Sequence, residues 1–113
     1  MKSKILALSK NEEFKKLLNQ KRVTNKYVSI FFGKLINKDK KRLNISFVTK
    51  KKIGNAVKRN KIKRRLRNIM NEAVKKISIN FNYSFLVIAK SSMLNNEYKI
   101  IKETLFQDFK KIK

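Results

Sequence analysis

Cysteine, histidine, proline and tryptophan are absent from this chain, glycine occurs twice, and only seven of its 113 residues are acidic. Each absence removes a class of chemistry. Without cysteine there is neither a disulfide framework nor a thiolate metal site. Without histidine the commonest general acid–base and the commonest metal ligand are missing. The few acids form no paired constellation, whereas a two-metal protein site needs clustered carboxylates. Glu12 and Glu13 stand where a helix would begin, and the helix dipole favours acids there. No apolar run approaches the roughly 20 residues of a membrane span. The start, "MKSKILALSK", is too poor in apolar residues for a secretory signal. A soluble cytoplasmic protein with no membrane partner is expected.

What is present is positive charge: 31 lysines and arginines set a net charge of +24. So much charge of one sign repels itself, and the expected partner is a polyanion, with nucleic acid ahead of an anionic membrane surface. Apolar residues make up 42% of the chain, enough for a modest core and too many for a disordered chain. The length suits one compact domain spanning 1–113. A genome rich in lysine codons would inflate the charge evenly, but the arginines are not even. There are six, and Arg59, Arg64, Arg65 and Arg67 fall within nine residues.

Periodicity divides the chain into elements. Ser9 and Glu12 have capping-box spacing, and Phe14, Leu17 and Leu18 mark one face of a short first helix. Residues 26–36 alternate as a strand, with Tyr27, Ser29 and Phe31 on one face and Val28, Ile30 and Phe32 on the other. The polar residues 37–41 read as a hairpin turn into a second strand over 42–49, with Leu43, Ile45 and Phe47 inward. Asn55 is a candidate N-cap. From Ala56 to Ile77 the residues Ile62, Leu66, Ile69, Met70, Ala73 and Ile77 form one stripe of a helix. The apolar run over 84–90 suits a strand buried on both faces, so strand, helix and strand suggest a βαβ unit with parallel strands. A last helix over 95–111 carries Tyr98, Ile101, Leu105, Phe109 and Ile112. The order is α-β-β-α-β-α with room for an extra short strand, an α+β sandwich.

The long helix is the candidate site. Opposite its apolar stripe lie Asn60, Lys63, Arg64 and Arg67, with Lys61 and Arg65 on the other shoulder and Arg59 near the loop. No acid offsets them before Glu72. Like charges at i,i+4, such as Lys63 with Arg67, cost a helix a few tenths of a kcal/mol, and cations at a helix N-terminus oppose its dipole. A bound polyanion reverses both costs, and the guanidinium fork suits phosphate oxygens. No helix-turn-helix spacing surrounds the helix, which weakens a DNA-reading role. A membrane role is weakened because the apolar stripe is needed to cover the sheet.

The stretch "KKIGNAVKRNKIKRRLR", residues 51–67, resembles the signature of the bacterial ribonuclease P protein family. "LSKNEEF" at 8–14 and "FLVIAK" at 85–90 extend the resemblance over nearly the whole chain. The departures are Lys61 where the family has arginine, Ser46 for a common glycine, Ser84 for a frequent aspartate, and Leu18 for a second aromatic of the first helix. The resemblance implies an α-β sandwich of the ribosomal protein S5 domain 2-like type, with one sheet of about four strands packed on helices and a left-handed βαβ crossover. It implies the non-catalytic protein subunit of an endoribonuclease whose RNA subunit is the catalyst and holds the Mg2+ that performs hydrolysis. Partners would be the ribonuclease P RNA and precursor tRNA, one protein monomer per RNA. Lys51, Lys52, Asn55, Arg59, Lys61, Arg64 and Arg67 would bind the ribonuclease P RNA. Phe14, Phe31, Asn60 and Lys63 would hold the single-stranded 5′ leader. A structural RNA-binding protein such as a ribosomal component is the alternative reading.

Overall fold

The computed structural model describes residues 5–8, 12–35 and 41–112. In chain order it runs β1 (Ile5–Leu6), α1 (Glu12–Leu18), β2 (Lys21–Thr24), β3 (Val28–Gly33), β4 (Leu43–Val48), α2 (Ala56–Lys76), β5 (Ser84–Ala89) and α3 (Tyr98–Lys111), with short 3-10 turns at Lys51–Ile53 and Ser91–Leu94. The five strands form one mixed sheet in the order β1-β4-β5-β3-β2. β4 and β5 are parallel neighbours joined by α2, the expected βαβ unit.

Alternation along the strands sorts side chains to two faces. Val28, Ile30, Phe32, Ile45, Phe85 and Val87 face α2 and α3 in the main core, together with Ile62, Leu66, Ile69, Met70, Ala73, Ile101, Leu105 and Phe109. Phe85, central in β5, meets Phe109 of α3 edge-on at 5.3 Å between ring centres. The opposite face carries a smaller cluster: Leu86 and Leu17 buried with Leu8, and Phe14, Phe31, Val48 and Ile88 packed around them. α1 therefore covers one side of the sheet and the two longer helices the other.

Several expectations are corrected. The sheet has five strands rather than about four, because β1 and the edge strand β2 both pair. Residues 26–36 and 42–49 do not form a hairpin. β5 lies between β3 and β4, antiparallel to one and parallel to the other. A strand apolar on both faces belongs at the centre of a sheet, and that placement separates its neighbours. The true hairpin is β2–β3, antiparallel from Lys21↔Phe32 to Thr24↔Ser29. Tyr27 joins the main core rather than the face of Phe31. It precedes the strand, in a turn where the Asn25 Oδ1 accepts the backbone N–H of Tyr27 at 2.7 Å and of Val28 at 2.9 Å. Such an Asx turn breaks the alternation one residue before β3. Leu18 is 45% exposed, while Leu17 is buried. Successive helical residues diverge by about 100°, so only one of the two can face the sheet. Asn44, which alternates with the inward Leu43 and Ile45, is buried as well, because β4 is flanked there by β1 and β5. The proposed cap Ser9 and the turn residues 37–40 lie outside the described residues.

The last helix starts three residues later than expected, after the 3-10 turn. On it the Lys102 ammonium lies 3.1 Å from the Glu72 carboxylate of α2 and 5.8 Å from the centre of the Tyr98 ring. Burial, then the Glu72 charge, raises the Tyr98 phenol above its usual pKa.

Candidate nucleic-acid interface

α2 begins where the sequence places its cap. The Asn55 Oδ1 accepts from the Lys58 backbone N–H at 3.0 Å, and the preceding Gly54 takes φ 154°, a backbone that only glycine adopts freely. A methyl group on Gly54 would also stand 2.8 Å from Lys58 Cδ. The loop of Lys51 and Lys52 is thus delivered to the helix at one fixed angle. Asn55→Ala should lower stability in urea by about 1 kcal/mol, the usual worth of an N-cap, while Asn55→Ser should restore most of it. A loss of RNA binding by the alanine variant alone would trace to the cap.

Five buried residues, Ile62, Leu66, Ile69, Met70 and Ala73, hold α2 against the sheet. That leaves Asn60, Lys61 and Arg64 exposed on the outer side and Arg67 exposed at its edge, with Lys63 and Arg65 half-buried on opposite shoulders. The two shoulders do different work. The Arg65 Nη1 donates to the carbonyls of Met93 at 3.1 Å and Asn96 at 3.3 Å, so this arginine is a strut between α2 and the start of α3. Lys63 turns to the other side. It lines a groove of ≈ 650 Å³ with Arg67, Phe14, Ser46 and Val48. Arg59 is half-buried, with its Nε closed off and lacking an acceptor among the described residues.

The groove exists because β1 is short. β1 pairs β4 at Ile5↔Leu43 and Leu6↔Asn44, so among the described residues the edge of β4 from Ile45 onward has no strand beside it. The chain instead crosses with the Leu8 N–H donating to the Ser46 Oγ at 2.9 Å. Ser46 thereby supplies an acceptor that glycine lacks. The result is a trough floored by a strand edge, with Phe14 on one wall and two cations on the other.

The expected leader-contacting residues are only partly gathered. Phe14 and Lys63 share the groove. Asn60 is exposed on the outer face of α2. Phe31 packs under α1 in the smaller cluster, with the Arg22 guanidinium 6.0 Å from its ring centre. Arg67, expected with Arg64 on the catalytic RNA, also lines the groove. Sequence reasoning passed over Lys50 and Lys90. With Lys52, Ser29 and Ser91 they border a second hollow of ≈ 450 Å³ at the ends of β4 and β5. The Lys90 Nζ is held there by Asn25 O at 2.6 Å and Thr24 Oγ1 at 3.0 Å. The available signal was positional, since the carboxyl ends of adjacent parallel strands are a frequent ligand crevice.

Among the described residues no helix is long and apolar enough to cross a membrane. The family model Ribonuclease P matches residues 3–113. The ribonuclease P protein component of Carboxydothermus hydrogenoformans is 34% identical over 110 residues, covering 94% of this chain and 90% of that protein. The corresponding component of Mycoplasma mycoides is 31% identical, covering 94% of each. The structure of the Staphylococcus aureus RNase P protein superposes with a TM-score of 0.73 at 31% identity, over 94% of this chain and 93% of that one. The Thermotoga maritima RNase P protein shares the fold, with a TM-score of 0.80 over 96% of this chain and 98% of that one at 24% identity.

Proposed function

Because the chain belongs to the ribonuclease P protein family, we propose that it acts as the non-catalytic protein subunit of the endoribonuclease, binding the catalytic RNA and the 5′ leader of precursor tRNA. One monomer would serve each RNA in the cytoplasm. The observation that carries this reading is the division of cations on α2. Lys61 and Arg64 stand exposed on the outer face, while Lys63 and Arg67 line a groove that contains an aromatic ring. Outward cations without acids suit the phosphates of a folded RNA. A trough with a ring on one wall and cations on the other suits a single strand, whose bases stack while its phosphates track the charge.

The carboxylates support a structural rather than a catalytic use. Glu72 is paired with Lys102, and Asp108 accepts from the Asn25 Nδ2 at 2.6 Å. In this reading Mg2+ is held mainly by the RNA and supplies the hydrolytic chemistry there. The chain's residues bind and orient: Lys51, Lys52, Asn55, Arg59, Lys61 and Arg64 on the catalytic RNA, and Phe14 and Lys63 with Arg67 on the leader. Phe31 and Asn60 would contribute from outside the groove, Phe31 by holding the sheet face under α1.

Reconstitution tests the proposal. The chain is mixed with a bacterial ribonuclease P RNA and precursor tRNA at a Mg2+ concentration where the RNA alone is slow. Leader removal should accelerate, because the cations of α2 substitute for part of the ionic screening the RNA needs. A rate equal to that of the RNA alone would sink the proposal.

A further inference from the structure

Val57 is 77% exposed, more than Leu18 or Ile100, the other large exposed hydrophobic residues among those described. It occupies the first turn of α2. At about 100° per residue it falls between Arg64 and Lys61, opposite the buried stripe of Ile62, Leu66 and Ala73. One exposed valine on a protein surface needs no explanation. This one stands amid cations, on the face left free by the core, where a β-branched side chain forms helix less readily than alanine. Lys61 and Arg64 offer donors to phosphates, and Val57 offers only an apolar surface. RNA seated on those cations would cover it.

We propose that Val57 packs against the face of an unstacked base of the docked ribonuclease P RNA, adding an apolar contact to the charged grip of α2. This rests on the reading of α2 as the docking surface. In a continuous RNA duplex every base face is stacked on its neighbours, so a free face is found only at a loop, bulge or end. The contact therefore favours a folded RNA with such a base over a plain helix of equal charge. It also has its own signature. Cation–phosphate contacts release counterions and set the slope of log affinity against log salt, whereas an apolar contact releases none.

Affinity for a bacterial ribonuclease P RNA is measured at several salt concentrations for the unaltered chain, Val57→Ala and Val57→Thr. Val57→Ala should bind about five- to tenfold more weakly at every salt concentration, as for the loss of two partly covered methyl groups, on a line parallel to that of the unaltered chain. Val57→Thr should lie parallel and between them. All three should bind a continuous RNA duplex equally. Thermal melting should show Val57→Ala at least as stable as the unaltered chain, so weaker binding is not lost folding. Unchanged affinity of Val57→Ala, or an equal loss on the duplex, overturns the base contact and leaves the docking surface standing. Failure of the unaltered chain to bind the ribonuclease P RNA in a salt-dependent way overturns the docking reading, and the contact with it.

Discussion

Alanine at both Lys61 and Arg64 should weaken binding to ribonuclease P RNA about a hundredfold at low salt, each charge-assisted contact being worth roughly 1.5 kcal/mol or more. The salt slope should become shallower by about 1.8, at about 0.9 for each lost phosphate contact. Stability should not suffer. Both residues are exposed, and alanine forms helix at least as well while removing like charges from one face. Arg67→Ala in the same titration should keep most of the affinity, because Arg67 borders the groove. Its loss should appear with precursor tRNA carrying a leader and should spare mature tRNA. An unchanged slope in the double variant would show that the outer face of α2 is not where the RNA sits.

That division was only half legible in the sequence. α2 itself was plain. Its cap at Asn55, its stripe from Ile62 to Ala73 and its lack of acids all follow from local spacing, and local spacing survives folding. The grouping of Asn60, Lys63, Arg64 and Arg67 on one strip was correct as geometry. It did not say what stands beside each edge of the strip. The edge of β4 beside Lys63 and Arg67 has no strand partner among the described residues, because β1 stops at Leu6. A two-residue strand leaves no periodic trace. β2 is similarly hard to read, since Lys21, Arg22 and Thr24 are polar residues on an edge strand, where charge guards against pairing with other chains. The order of the sheet was hidden for a different reason. A polar turn between two alternating segments looks like a hairpin, and nothing local reveals that β5, 50 or so residues after β3, needs both neighbours to bury its two faces.

The shoulder arginine gives the sharper contrast. Arg65 sits in the same run of cations as Arg64 and Arg67, on the other shoulder of α2, and its Nη1 reaches two backbone carbonyls, those of Met93 and Asn96. Met93 is fully buried. The 3-10 turn that carries it is further tied by the Asn96 Nδ2 donating to Ser92 O at 2.7 Å and the Ser92 Oγ donating to Lys26 O at 2.6 Å. Arg65→Ala removes a charged donor from partly buried carbonyls, a loss of about 2–3 kcal/mol. That is a large part of the roughly 5–15 kcal/mol that holds a small protein folded. Arg65→Lys should recover only part of it, because an ammonium keeps the charge without the planar fork. Urea unfolding of the free chain, at a salt concentration high enough to screen the surface charges, should rank Arg64→Ala with the unaltered protein and Arg65→Ala well below. RNA binding measured on the folded fraction of Arg65→Ala should keep the original salt slope, since no phosphate contact has been lost. A slope reduced by one contact with stability unchanged would place Arg65 on the RNA instead, and would mean that docking draws its side chain away from α3.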